Sequence, residues 1–87
     1  MFDNVDNVLA LIIYSSILFF VRYGAAEQDC SFSLELDPTY TKALLRRGTV
    51  RIKLKKYHSA KEDFQNVLKG EPNNKQALGE IKNIDKV

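Results

Sequence analysis

The amino-acid sequence predicts an all-α protein built from antiparallel helix pairs, and two observations lead to this prediction. The first is an internal repeat, in which five residues recur as the same residue types 34 positions later. The second is that apolar residues from Ala25 onwards recur at intervals of three and four, the spacing of one helix face, while no segment alternates with period two. The repeated residues are Tyr23, Ala26, Asp29, Leu34 and Pro38, and their counterparts are Tyr57, Ala60, Asp63, Leu68 and Pro72.

Residues 1–22 form an apolar N-terminal segment for which a helix is expected. Its apolar run, residues 8–21, is 14 residues long, whereas a membrane-spanning helix needs about 20. A signal peptide is disfavoured because Asp3 and Asp6 replace the usual basic residues. Three interpretations stay open: a packed repeat helix, a membrane segment, or an N-terminus that is foreign to the repeat.

Residues 23–40 are predicted to be the second half of a first repeat. Ala26, Cys30 and Leu34 share one helical stripe, so the single cysteine is expected to be a small core residue. The helix should end at Asp37, because a residue that precedes a proline avoids the α conformation.

Three further helices follow in the sequence. One is expected from about residues 39–41, with a threonine as N-cap, to Leu54, where Lys55 and Lys56 form a tight turn. The next should end at Gly70 in a left-handed cap, and Asn73 or Asn74 should cap the last. The apolar stripes of these last two helices are Tyr57, Ala60, Phe64, Val67 and Leu68, and then Ala77, Leu78, Ile81 and Ile84.

The second unit, residues 41–74, resembles the tetratricopeptide repeat, whose helix–turn–helix unit is 34 residues long. Gly48 and Ala60 stand where the two helices of that repeat approach each other, and Pro72 closes the unit. The resemblance implies a fold of stacked helix pairs in which residues 75–87 form a C-terminal capping helix.

Two residues depart from the family pattern. Arg47 and Arg51 stand where the family often has a large apolar and an aromatic residue. We expect the stem of Arg47 to pack while its head reaches water. Asp63, on the next helix, is expected on the solvated surface.

Charge is distributed unevenly along the chain. Residues 1–37 carry a formal charge of −5, whereas residues 38–61 carry eight basic side chains and no acid. A basic block of this kind attracts an anion, which could be nucleic acid, an anionic membrane or an acidic peptide.

Lys42 and Arg46 are the candidate binding residues. They are four positions apart and therefore share a helix face, which Thr49 and Lys53 continue as possible groove contacts. The stretch 40–48 is similar to the helix with which carboxylate-clamp cochaperones hold the acidic C-terminal tail of a heat-shock chaperone of the ninety- or seventy-kilodalton class. The resemblance implies that Lys42 and Arg46 bind the carboxylates of that tail. In the family, asparagines and another lysine on the preceding helices also hold the tail. Here the apolar run around Ile12 and Ile13 replaces the helix that would supply one asparagine, and the helix with Ala26 and Cys30 shows no obvious asparagine, so weak binding is expected.

The resemblance implies a cytoplasmic, and also nuclear, cochaperone or adaptor that aids assembly of complexes such as RNA polymerase. The sequence contains no metal-ligand spacing, phosphate loop or nucleophile motif, so we expect no enzyme activity, cofactor or metal, and nucleic acid is not the expected partner. The alternative is a membrane-tethered repeat scaffold anchored by residues 8–21. Such repeats usually need about three units, so two half-matching units suggest a fragment, a truncated form or a small module that depends on a partner.

Overall fold

The computed structural model describes residues 4–86 and contains four α-helices in this range, with no strand among the described residues. Each helix packs against the next one along the chain, as in a solenoid of helix pairs. The all-α prediction is therefore confirmed. The helices are α1 (Asn4–Leu36), α2 (Thr41–Lys53), α3 (Tyr57–Gly70) and α4 (Lys75–Asp85).

The hydrophobic core lies where α2 and α3 pack together and is closed at its ends by α1 and α4. Phe64 and Ala60 on α3 are completely buried. Gly48 on α2 faces the Phe64 ring so closely that a Cβ atom there would lie 2.6 Å from Cζ. The close approach of α2 and α3 thus depends on a residue without a side chain. The core residues are Leu34, Ala43, Leu44, Ala60, Phe64, Val67 and Ala77.

The turns between the helices confirm two of the sequence predictions. Lys55 has a φ of 62°, so the turn after α2 uses the left-handed conformation at this residue. Asn74 caps α4, because its side-chain oxygen accepts a hydrogen bond of 2.9 Å from the backbone N–H of Ala77.

Three local predictions were wrong. The N-cap of α2 is Tyr40, although a threonine was expected there. The hydroxyl of Thr39 instead donates a hydrogen bond of 2.8 Å to the carboxylate of Asp37. Gly70 belongs to the last turn of α3 and has no positive φ, since the chain leaves the helix through Glu71. Leu78 was expected on the buried face of α4 but is 47% exposed.

The longest helix joins two segments that we expected to be different elements. α1 continues without a break through residues 22 and 23. The repeat offers a reason, because the turn residue Lys55 corresponds to Val21, 34 positions earlier. A β-branched side chain strongly disfavours the left-handed conformation that this turn requires. The helix therefore continues where the second unit turns.

The first half of α1 projects from the helix bundle. The large apolar residues of residues 8–21 are between 40% and 69% exposed, and the molecule measures 59 × 31 × 16 Å. In the second unit, the helix at the corresponding position (α2) packs on α3. Residues 8–21, which correspond to α2 in the repeat, do not pack in the same way, and one side of the first unit is therefore open.

Candidate functional site

Lys42 and Arg46 lie on the exposed face of α2, in the first two turns of the helix. Both line a cavity of about 190 Å³ between α2 and the second half of α1. The structure therefore brings together the two cations that the sequence singled out. The cavity is lined by Asp29, Cys30, Ser33, Tyr40, Lys42, Ala43 and Arg46.

A second depression, of about 360 Å³, continues along the same side of the two helices towards Arg22. Arg46 and Asp29 line both cavities and so mark the border between them. We call the two cavities together the α1–α2 groove. It holds Lys42, Arg46 and Arg22 as cations and Asp29 as its acidic residue.

Thr49 and Lys53, the other two predicted contacts, line neither cavity of the groove. The hydroxyl of Thr49 donates to the backbone carbonyl of Leu45 at 2.9 Å, and Lys53 is exposed in the last turn of α2. Lys42 and Arg46 are thus the members of the predicted set that share a concave surface.

Cys30 forms part of the groove wall and is only 5% exposed. Burial raises the pKa of its thiol, although the nearby positive charges of Arg46 and Arg47 oppose this shift. A protonated, buried thiol agrees with the predicted role of a small core residue.

The side of α2 that faces α3 carries an ionic network that was not predicted from the sequence. Asp63 on α3 was expected on the solvated surface, but its side chain is 1% exposed. Arg47 donates from Nη2 and Nε to the two carboxylate oxygens of Asp63, at 2.6 and 3.0 Å. Arg51 adds a bond of 3.0 Å from Nη1. The head of Arg47 therefore binds a buried carboxylate instead of reaching water, because a buried charge needs a partner.

The network continues to α1 through Glu27. Arg51 Nε and Lys56 Nζ donate to its two oxygens at 2.8 and 2.9 Å, and Arg47 Nη1 donates to the hydroxyl of Ser31 at 3.1 Å. Burial raises the pKa of the Glu27 carboxyl, but the hydrogen bonds from Lys56 and Arg51 outweigh it and hold the pKa below its ordinary value. The same contact with Asp63 raises the pKa of Arg47. Side chains of α1, α2 and α3 are thereby joined.

The network leaves Arg46 on the groove side. Consecutive residues of an α-helix point about 100° apart, so Arg47 faces α3 while its neighbour Arg46 faces the cavity. A signal for this arrangement was present in the sequence, because Arg47 and Arg51 occupy positions that the family usually fills with apolar residues. Such positions face the neighbouring helix, where an arginine requires an acid.

The packing of α2 on α3, the glycine at their crossing and the 34-residue spacing define a class of protein: the chain is a tetratricopeptide-repeat protein. Its sequence is 49% identical over 82 residues to RNA polymerase II-associated protein 3 (RPAP3) from Homo sapiens, a match that covers 94% of this chain and 12% of that protein. The chain therefore spans about an eighth of the length of this relative. No protein-family model matches the chain.

Two solved structures show the same likeness. The second tetratricopeptide domain of human RPAP3, in complex with the HSP70 peptide SGPTIEEVD, is 49% identical with a TM-score of 0.70, and the match covers 75% of this chain and 54% of that one. The first such domain of Spaghetti (RPAP3), bound to the HSP90 peptide SRMEEVD, is 40% identical with a TM-score of 0.72, covering 82% and 57%. The chain thus corresponds to a little more than half of each domain.

The comparisons also bear on the apolar segment. By length and composition alone, the stretch Val8–Leu36 could cross a membrane. However, the sequence match to the human protein covers 94% of the chain and so includes residues 8–21. This segment therefore aligns with part of RPAP3, and the membrane-tethered alternative is not supported.

Proposed function

We propose that the chain is a non-catalytic binding module that holds the acidic C-terminal tail of a heat-shock chaperone of the seventy- or ninety-kilodalton class. Lys42 and Arg46 bind the carboxylates of the tail. As a cochaperone or adaptor in the cytoplasm and nucleus, it aids the assembly of protein complexes such as RNA polymerase.

The observation that carries this proposal is that Lys42 and Arg46 line one cavity at the edge of α1. Arginine offers a planar pair of donors that fits a carboxylate, and lysine adds a mobile point charge. Both peptides in the related complexes end in the sequence EEVD and so present several carboxylates within four residues. The chemistry of the cavity therefore matches the chemistry of the tail.

We expect the binding to be weak. Lys42 and Arg46 are both exposed, and an exposed ion pair contributes at most about 1 kcal/mol. Residues 8–21 project away and leave the first unit open, so contacts with the tail come from α2 and the second half of α1. Affinity should therefore be modest and should fall as salt screens the charges.

The test is a titration of labelled SGPTIEEVD against the chain and against the variants Lys42→Ala and Arg46→Ala. We expect each variant to bind several-fold more weakly. Lys69→Ala is the matched control, because Lys69 is an exposed cation that lines neither cavity of the groove. Equal affinity of all four proteins would contradict the proposal.

A further inference from the structure

Asp29 is a negative charge within a groove that is otherwise suited to anions. It is exposed and, with Arg46, lines both cavities of the α1–α2 groove. Among the side chains that the structure describes, those of residues 8–86, it takes part in no salt bridge and in no hydrogen bond, although its repeat counterpart Asp63 binds two arginines. Its charge is therefore available to anything that enters the groove.

The internal repeat explains why Asp29 has no partner of this kind. The partners of Asp63 are Arg47 and Arg51, which precede it by 16 and 12 residues. The same steps back from Asp29 lead to Ile13 and Ile17, which carry no charge. These isoleucines also belong to the same continuous helix as Asp29, and 16 residues along a helix correspond to about 24 Å. Asp29 thus corresponds to the buried acid of the second unit but lacks the two arginines that bind that acid.

We propose that Asp29 sets the charge selectivity of the α1–α2 groove. Compared with a groove that lacks this charge, Asp29 weakens the binding of tails that carry acidic side chains next to the terminal carboxylate, and it weakens the binding of tails with neutral side chains at those positions less. This inference rests on the proposed function, since it assigns a selectivity to the site formed by Lys42 and Arg46.

The physical basis is the distance over which like charges repel. Asp29 shares two cavity walls with Arg46, so a side chain beside a carboxylate held by Arg46 comes within the Debye length, about 10 Å at 0.1 M salt. At an exposed position this repulsion changes affinity by a few-fold. The peptide SGPTIEEVD has two glutamates just before its last two residues, where this repulsion should act.

The experiment compares two labelled peptides, SGPTIEEVD and its analogue SGPTIQQVD, by fluorescence anisotropy at low salt and at about 0.3 M salt. The proteins are the chain, Asp29→Asn and the matched control Glu35→Gln. Glu35 is an exposed acid on the same helix but lines a different cavity, together with Arg47.

We expect Asp29→Asn to bind SGPTIEEVD about threefold more tightly at low salt, with a smaller gain for SGPTIQQVD and at the higher salt. Glu35→Gln should change neither affinity. If Asp29→Asn leaves both affinities unchanged, improves both equally or behaves like Glu35→Gln, the inference is overturned while the proposed function stands. If none of the proteins binds either peptide, both the proposed function and this inference are overturned.

Discussion

Arg47 and Asp63 form a two-point ion pair in which Nη2 and Nε of the arginine contact both oxygens of a carboxylate that is 1% exposed. The pair joins α2 to α3 directly behind the surface that carries Arg46. Arg51 contacts the same carboxylate and also Glu27 on α1, so Asp63 and Glu27 together connect three helices through the arginines of α2. The network thus ties α2, which carries Lys42 and Arg46, to both of its neighbouring helices.

The first prediction concerns the buried acid. Asp63→Ala should destabilise the fold by about 3 kcal/mol, because it leaves the partly buried Arg47 without a counter-charge, while Arg51 keeps only Glu27. Urea unfolding followed by circular dichroism would measure the loss. The matched control is Asp29→Ala, the exposed repeat counterpart, for which we expect a change below about 0.5 kcal/mol. Similar losses in the two variants would show that Asp63 has no special role.

The second prediction concerns the crossing of α2 and α3. Gly48→Ala should destabilise the protein by about 1–2 kcal/mol, because its Cβ would lie 2.6–2.9 Å from three atoms of the Phe64 ring. Gly79→Ala on α4 is the control, since nothing lies within 4 Å of the added atom. The helix preference for alanine should make that variant more stable by about 0.5–1 kcal/mol. Opposite signs of the two changes in unfolding free energy are the expected result.

The third prediction concerns pH. The pKa of Glu27 in the folded protein lies below its ordinary value of 4.5. Its contribution to stability is therefore fully present above the ordinary pKa and is lost as the pH falls through the lowered folded-state pKa. Glu27→Gln should be less stable than the chain at neutral pH and should lose less stability in acid. Thermal melts from neutral to acid pH would measure this, with the exposed Glu62→Gln as control; parallel curves for the chain and Glu27→Gln would refute it.

The fourth prediction concerns the continuous helix α1. Val21→Gly together with Ile13→Arg and Ile17→Arg should allow residues 4–20 to turn back against the second half of α1. Glycine permits the left-handed conformation found at Lys55, and the two arginines supply Asp29 with the partners that Asp63 has. Spin labels at residues 10 and 28 should move much closer together in the triple variant. Unchanged label distances would mean that other residues keep α1 straight.

The sequence was sufficient for the all-α class, the helix pair in residues 41–74 and the placement of Lys42 and Arg46. These features follow from local patterns, namely helical spacing of apolar residues, the 34-residue period and the four-residue step between the two cations. The resemblance to the tetratricopeptide repeat also implied a small residue at position 48, and the contact of Gly48 with Phe64 agrees with it.

Other features were not predicted because they depend on long-range pairing. The burial of Asp63 required knowledge that Arg47 and Arg51, 16 and 12 residues away, would reach it across two helices. The continuity of α1 depends on the absence of one turn near Val21, in a segment where the repeat pattern is lost. The open side of the first unit results from that difference, and the unpaired charge of Asp29 results from it together with the uncharged Ile13 and Ile17.

The central claim is that Arg46 and Lys42 bind the carboxylates of a chaperone tail, and a double-mutant cycle tests it most directly. The cycle measures the affinity of SGPTIEEVD with a free or an amidated C-terminus for the chain, Lys42→Ala and Arg46→Ala. We expect amidation to weaken binding to the chain several-fold and to have a clearly smaller effect on at least one variant, because the partner of the carboxylate is then missing. Equal effects of amidation on all three proteins would contradict the claim.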